Sequence, residues 1–123
     1  MMEKKSNPIA LKRGDIILIP FPFTDLTSSK VRPAVIISSN PQKNDIIIAF
    51  ISSIVSKPIG NADFLLTSGH PEFSSTGLKR DSIFKMDKLL TIHNALILRY
   101  LGRVNFEIQK ELDELLKKAL GLA

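Results

Sequence analysis

The strongest constraint on the fold is a series of short apolar runs, rich in β-branched residues, that turn signals separate. Ile46–Ile51 is the clearest run, because continuous apolar residues without alternation are typical of a strand buried on both faces. The preceding segment 40–45, NPQKND, has turn composition, so a hairpin around it is expected. The pattern predicts strands over Asp15–Ile19, Pro33–Ser38, Ile46–Ile51, Ala62–Leu66 and Asp81–Met86.

The C-terminal segment follows a helical pattern instead. Apolar residues recur at helical spacing at Ile108, Leu112, Leu115, Leu116 and Ala119. Asn105 is a suitable N-cap and Gly121 a suitable C′ residue, which predicts an amphipathic helix from about Phe106 to Leu120. Between the strands and this helix, Leu89–His93 either continues the preceding strand or begins a turn. Asn94–Leu101 fits a short helix or a strand.

The composition narrows the class of protein. The 123 residues suit one domain over 1–123, with a loose N-terminal arm over 1–11. No apolar run approaches the roughly 18 residues of a membrane span, and the N-terminus lacks the apolar core of a signal peptide. The absence of cysteine excludes disulfides and thiolate chemistry and is compatible with a cytoplasmic location. Two histidines are too few to argue for a metal site.

The charge is unevenly distributed. The net charge is +5, whereas the stretch Glu107–Lys118 is slightly acidic, so the excess of positive charge lies in the body of the chain. This distribution favours a polyanion or an acidic protein segment as partner, and solubility alone is the competing explanation. Many short strands followed by one helix predict a mostly β, α+β domain with a small barrel-like sheet.

Several blocks of the sequence resemble the toxins of MazF/PemK-type toxin–antitoxin modules: RGDIILIPFPFTD, KVRPAVIIS, IIAFISS and GLKRDSIFKMDKLLTI. The resemblance implies a partly open, SH3-like or CcdB-like barrel of five to seven strands. It also implies a homodimer and a metal-independent endoribonuclease, with no cofactor, that cuts single-stranded RNA. The implied partner is an antitoxin whose acidic tail fills the RNA groove, and DNA would be contacted only through the toxin–antitoxin complex.

Candidate site residues begin at the entrance of the second predicted strand. The planar guanidinium of Arg32 suits two-point contact with a phosphate, although a surface ion pair with Asp15 or Asp25 is an alternative. By resemblance, Arg32 matches the arginine that contacts the scissile phosphate. Lys30 is expected to be a phosphate contact at the rim of the groove, and Thr24 and Ser29, in the loop before it, are expected to contact RNA.

Two hydroxyl residues follow the buried strand Ile46–Ile51. Ser52 and Ser53 are able to donate to a phosphate oxygen, although a serine pair is also common in turns. The resembling toxins carry a threonine–serine pair at this point, and its first residue works beside the arginine. Ser52 is therefore predicted to be a catalytic residue and Ser53 an RNA contact.

Lys85 and Asp87 occupy alternate positions of the strand-like segment IFKMDK, so period two places both side chains on one face. An ion pair between them is the structural alternative. PemK-like toxins carry an arginine and an aspartate at these positions, which act as acid or charge stabiliser and as base. The resemblance therefore predicts that Lys85 and Asp87 are catalytic, with lysine in place of the arginine. This chain differs from the pattern in other ways too, because Leu90 replaces an arginine and His93 replaces an acidic residue.

Two further functions remain open from the sequence. A CcdB-like toxin that binds a protein target such as a topoisomerase would share the fold but would not need an arginine beside a hydroxyl. A catalytically inert RNA-binding relative is the other, because of the differences at Leu90 and His93. His93 itself is expected to be structural, as single histidines in loops usually are.

Overall fold

A computed structural model describes residues 10–20, 30–40, 42–55 and 59–122. In this part of the chain, six strands precede one helix. The strands are β1 (Asp15–Pro20), β2 (Val31–Asn40), β3 (Asp45–Ser52), β4 (Asp63–Leu66), β5 (Ser82–His93) and β6 (Arg99–Arg103), and α1 spans Phe106–Leu120. Short 3-10 helices at Ser74–Thr76 and Asn94–Leu96 lie on either side of β5. None of the helices in these ranges is long and apolar enough to cross a membrane.

The six strands form one antiparallel, curled sheet with the order β4-β5-β3-β2-β1-β6. The predicted hairpin is confirmed, because β2 pairs with β3 across the turn after Asn40. The fold is thus mostly β with one C-terminal helix, as the sequence predicts, and six strands lie within the expected five to seven.

Each face of the sheet carries its own apolar cluster. One cluster contains residues of β1 to β5, and Leu101 of β6 packs against it. It is covered by α1 through Ile108 and Leu112, which are almost fully buried. The other contains isoleucines of β1, β2 and β3, and Phe50 and Ile97 pack against it. Burial on both faces explains the continuous apolar sequence of β3, although Ile47 keeps 36% of its surface exposed.

The helix begins and ends where the sequence predicts. The Asn105 side chain accepts a hydrogen bond from the Ile108 amide at 2.9 Å, which satisfies one of the unpaired donors of the first turn. Gly121 has a left-handed backbone with φ of 74°, and its amide donates to the carbonyls of the last turn. The local signals were sufficient here because capping depends only on residues adjacent in sequence.

Three segments differ from the prediction or resolve its ambiguity. β2 begins at Val31 rather than Pro33, so Arg32 lies inside the strand. Pro33 is tolerated because β2 pairs only with β1 at that point; the pairing with β3 starts at Ala34. β5 continues through Leu89–His93 as one strand of 12 residues. The ambiguous stretch 94–101 divides into a 3-10 turn and the start of β6.

A buried carboxylate joins the ends of β1 and β6. Asp15 is fully buried, and it accepts hydrogen bonds from the Lys12 amide and the Arg103 guanidinium, each at 2.9 Å. A side-chain hydrogen bond with Tyr100 and the charge of Asp15 raise the pKa of Arg103 above its ordinary value. Asp15, which was one possible ion-pair partner of Arg32, is therefore engaged by Arg103.

Candidate functional site

A cleft of about 470 Å³ lies over β2, β3 and β5. Four polar side chains line it: Arg32, Ser52, Lys85 and Lys88. Its apolar lining comes from Phe50, Ile51 and Leu89. We call it the Arg32 cleft. Three of the four residues predicted to be catalytic thus lie together, although they are 20 to 53 positions apart in sequence.

The register of the strands explains why these side chains converge. Phe50 of β3 is opposite Ala34 on one side and opposite Lys85 on the other, so these three side chains share one face. Arg32 precedes Ala34 by two residues and Ser52 follows Phe50 by two. Because side chains alternate along a strand, both project to the face of Lys85. The cleft is a consequence of antiparallel pairing.

Arg32 is held by the sheet. It lies inside β2 opposite Ile19 of β1, and it is partly exposed. A guanidinium carried on a paired strand is restricted at its backbone, so little ordering is needed when it binds an anion. Its placement agrees with the phosphate contact that the sequence predicts, although that role itself stays a prediction.

Ser52 and Ser53 face different clefts. The Ser52 oxygen accepts a hydrogen bond from the Ile54 amide at 3.1 Å, which uses a lone pair and leaves the hydroxyl hydrogen able to donate. Ser53 is exposed and lines a second cleft on the opposite face, with Arg80, Arg99 and Leu101. We call this the Arg99 cleft. The two serines therefore do not form a single hydroxyl pair.

Lys85 forms an ion pair with Asp63, a residue that the sequence analysis missed. The Lys85 Nζ lies 3.5 Å from Oδ2 of Asp63, which is directly opposite it on β4. The Asp63 side chain is only 9% exposed, and the same oxygen accepts a hydrogen bond from the Gly60 amide at 2.9 Å. Asp63 thus fixes the position of the Lys85 ammonium at the edge of the cleft.

A bulge in β5 separates Lys85 from Asp87. The register with β3 jumps from Lys85 to Leu89, so the residues between them have no partner on β3. Met86 is buried, whereas Asp87 is exposed and is not part of the lining of the Arg32 cleft. Lys88 enters the cleft instead. Strand alternation explains why Met86 is buried between two less buried neighbours but does not bring both charges into the cleft, and the catalytic role of Asp87 stays a prediction.

Lys88 and Asp63 were missed for different reasons. Lys88 would point away from Lys85 in a regular strand, and only the bulge redirects it. Asp63 is distant in sequence from Lys85, and only the pairing of β4 with β5 connects them. A charged residue at the start of a short apolar strand was the one available signal for Asp63, and it indicates exposure as readily as an ion pair.

The other predicted contacts lie elsewhere. Lys30 is exposed just before β2 and is not part of either cleft's lining. Thr24, Ser29 and Asp25 lie outside the described residues.

Both histidines have local structural roles. His93 Nδ1 accepts a hydrogen bond from the Ala95 amide at 3.0 Å, which caps the 3-10 turn at Asn94–Leu96. His70 Nδ1 accepts one from the Glu72 amide at 3.0 Å in the loop before β5. The expectation that His93 is structural is confirmed.

The fold is that of known toxins. The Mycobacterium tuberculosis toxin MazF-mt6 superposes with a TM-score of 0.68 at 19% identity, over 89% of this chain and 98% of that one. An endoribonuclease in complex with its cognate antitoxin, from a mycobacterial species, gives 0.69 at 18% identity, over 93% and 98%. The MazE–MazF complex of Deinococcus radiodurans gives 0.68 at 17% identity, over 92% and 98%.

At such identities these similarities establish the fold. Among curated proteins, no sequence matches the chain significantly. The family model for PemK-like, MazF-like toxins of type II toxin–antitoxin systems matches residues 12–120, which include the whole sheet and the helix. The chain therefore belongs to the PemK-like, MazF-like toxin family of type II toxin–antitoxin systems.

Proposed function

We propose that this protein is an endoribonuclease toxin that cuts single-stranded RNA in the Arg32 cleft and is neutralised by a protein antitoxin. The observation that supports the proposal most is the meeting of Arg32, Ser52, Lys85 and Lys88 in one cleft. Three cations and a hydroxyl line this cleft of about 470 Å³. They are suited to bind a phosphodiester, which carries negative charge and accepts hydrogen bonds.

The proposed reaction is an internal transesterification. The ribose 2′-oxygen attacks phosphorus and loses its proton to a base, and the bond from phosphorus to the 5′-oxygen breaks. The products are a 2′,3′-cyclic phosphate and a 5′-hydroxyl, which takes up a proton from an acid. The phosphorus-centred transition state carries more negative charge on its oxygens than the substrate does, so hydrogen-bond donors aimed at these oxygens lower the barrier.

The residues of the cleft fit particular steps. The guanidinium of Arg32 binds the non-bridging oxygens of the phosphate in two-point contact. The Ser52 hydroxyl donates to one of them, because a phosphate oxygen only accepts and the hydroxyl hydrogen stays available while its oxygen accepts from the Ile54 amide. Lys88 adds a charge at the side of the cleft, where it holds the phosphate backbone.

Lys85 is proposed to protonate the departing 5′-oxygen. Lys85 lines the cleft, and its Nζ lies 3.5 Å from Oδ2 of Asp63. A general acid needs a fixed orientation toward the leaving atom, and the ion pair with the largely buried Asp63 carboxylate supplies that orientation. The family pattern makes Asp87 the base, and its exposed position on the bulge requires the RNA strand to pass beside it.

The lining of the cleft supports RNA cleavage over the protein-binding alternative. A CcdB-like binder of a protein target needs no hydroxyl beside an arginine in one cleft. The partner is proposed to be an acidic antitoxin, because two of the similar structures contain an antitoxin and because the cleft is cationic. The homodimer that the family implies belongs to the same proposal.

The test is cleavage of a long single-stranded RNA by the purified protein in EDTA. The wild type is expected to cut, and Arg32→Ala is expected to lose at least about 100-fold in kcat/KM, as when a donor to a developing oxyanion is removed. Lys43→Ala is the matched control, because Lys43 is an exposed cation in the turn at the far end of β2. It should keep wild-type activity.

Two results would contradict the proposal. RNA that stays intact with a wild-type protein that still arrests growth on expression would indicate a protein target. RNA that binds tightly to the wild type but is never cut would indicate an inert relative.

A further inference from the structure

Phe50 is the only aromatic residue in the lining of either cleft among the described residues. Ile51 is almost fully buried, so Phe50 and Leu89, each half-buried, supply the apolar surface that a ligand of the Arg32 cleft would meet. The apolar lining of the Arg99 cleft is aliphatic, and one wall of that cleft is the loop 77–81 before β5. The two clefts therefore differ in the kind of side chain on which a nucleic-acid base stacks.

The strand register places Phe50 beside the groups that are proposed to bind phosphate. Phe50 is directly opposite Ala34 on β2, so Arg32, two residues before Ala34, is its diagonal neighbour at about 7–8 Å. Ser52 projects to the same face two residues further along β3, at roughly 7 Å. A phosphate bound by Arg32 and Ser52 would thus have the aromatic ring within reach of one of the two bases that flank it.

The neighbours of Phe50 leave part of it exposed to the cleft. On one side Ala34 carries only a methyl group, which is too small to cover the ring. On the other side Lys85 is directed toward β4 by its ion pair with Asp63, at 3.5 Å. Phe50 also packs against the isoleucine cluster of β1, β2 and β3. The core therefore holds the ring in place, and a base that stacks on it requires little rearrangement of the protein.

Packing in the core is the alternative role for Phe50. The preceding residues of β3 on this face, Ile46 and Ile48, are almost fully buried, whereas Phe50 keeps exposed surface between the cations of the cleft. Those cations contact phosphates, which every RNA sequence contains, so they do not select a base. An aromatic ring at the same place adds a contact that depends on the base.

We propose that Phe50 is a specificity-determining residue of the Arg32 cleft, whose ring stacks on a base next to the scissile phosphate and favours a purine there. Leu89 would add aliphatic contact at the edge of that base. A purine overlaps the ring over a larger area than a pyrimidine does, and stacking strength gives such sites their base preference. The inference rests on the proposed RNA cleavage in this cleft and adds the contact that selects a base.

The first test maps the cut sites in a long single-stranded RNA in EDTA, by sequencing the ends that carry a 5′-hydroxyl. The wild type is expected to show purine enrichment at one of the two positions beside the cut. Phe50→Leu keeps an apolar side chain on the core but removes the ring. It should lower kcat/KM about tenfold, as loss of one stacked base does, and abolish the enrichment. Phe50→Tyr, which keeps a ring, should retain the enrichment.

Phe64→Leu is the matched control. Phe64 is a half-buried phenylalanine of β4 that packs edge-to-face against Phe84, and it lines neither cleft. This variant loses an aromatic ring from the sheet without a change in the Arg32 cleft, so its cut sites and kcat/KM should equal those of the wild type. Circular dichroism checks that each variant is folded under the assay conditions.

The second test locates the stacked base. A short RNA with the preferred cut sequence is made uncleavable by a 2′-deoxy nucleotide at the cut, and fluorescence anisotropy measures its Kd with and without the base on each side. Removal of one of the two bases should weaken binding to the wild type about tenfold, but to Phe50→Leu less than about twofold, because the stacking contact is already lost. A residue that only packs in the core would not produce this coupling to one base.

Three results would overturn the inference while RNA cleavage itself stands. The first is a folded Phe50→Leu variant that cuts with the same purine frequency as the wild type. The second is an equal loss of affinity on base removal in both proteins, and the third is a wild type that cuts RNA without purine enrichment beside the cut. A wild type that leaves the RNA intact contradicts the proposed function, and this inference fails with it.

Discussion

The Arg32 cleft and the Arg99 cleft use one stretch of β2 from opposite faces. Arg32 points into the first, and its neighbours Val31 and Pro33 border the second. In the first, Lys85 is held by a carboxylate; in the second, the cations of a loop and of an edge strand face no carboxylate among the described residues. The comparison shows that strand alternation lets neighbouring residues of one strand line two separate clefts.

The largest effect is expected where the wall of the Arg99 cleft meets β6. Gly77→Ala places a Cβ against the Leu101 carbonyl and forces an unfavourable left-handed backbone, so the free energy of unfolding should fall by about 3 kcal/mol. Below the melting temperature, RNA cleavage in the Arg32 cleft should be nearly unchanged. Urea unfolding with a parallel cleavage assay measures both.

Gly121→Ala is the matched control for that substitution. Gly121 has almost the same φ, but no atom lies within reach of an added Cβ. The expected loss is about 1 kcal/mol, which is the backbone cost alone. Equal losses for the two glycines would show that the loop does not pack tightly on β6.

The next largest effect is expected for Ser52, and its neighbour Ser53 serves as the control. Ser52→Ala removes the hydroxyl from the Arg32 cleft and is expected to lower kcat/KM for RNA by about 30-fold, as for a hydrogen bond to a charged group. Ser53→Ala should leave cleavage at the wild-type rate, because Ser53 faces the other cleft. If the Ser53 variant loses activity as well, the assignment of the serines to opposite faces fails.

The positioning of Lys85 gives a smaller effect. Asp63→Asn keeps the shape and the acceptor oxygen for the Gly60 amide but removes the charge beside Lys85. We expect kcat to fall about tenfold with little change in KM, because orientation of the acid matters mainly in the transition state.

A purely structural role of Asp63 would lower the free energy of unfolding and leave kcat of the folded variant unchanged. Glu114→Gln removes the carboxylate of the exposed Lys117 pair and serves as the control, with no expected effect on either quantity.

The smallest effect is expected for Lys88. Lys88→Ala removes one phosphate contact, so affinity for RNA should fall several-fold and the slope of log affinity against log salt should decrease by about 0.7, the value for one contact with a single strand. A titration of fluorescent RNA at several salt concentrations measures this slope. An unchanged slope would mean that the bulge does not bring Lys88 to the RNA.

Much of the architecture was predictable, because its signals are local. The helix Phe106–Leu120 follows from apolar spacing and two caps, and the core of each predicted strand lies in an observed strand. The uncertain part was 89–101, where β5 continues past a bulge and the chain then turns into an edge strand. Because a bulge depends on how two strands pair, the sequence of one strand alone does not predict it.

The candidate site divides in the same way. Arg32 and Ser52 each lie beside a recognisable apolar run of the sequence, and the family resemblance is sufficient to associate them. Lys88 and Asp63 became visible only in three dimensions, through a bulge and through a pairing of distant strands. Asp87 shows the opposite case, since its position in sequence places it beside Lys85 while the fold leaves it outside the cleft lining.

The amino-acid sequence by itself determined the strands, the helix, the family and the arginine at the strand entrance, because each depends on neighbours along the chain or on an ordered series of motifs. Only the tertiary structure decided which charges meet. The partner of Lys85 on β4 and the entry of Lys88 into the Arg32 cleft depend on strand register. Register is set by the packing of the whole sheet, so no local pattern contains it.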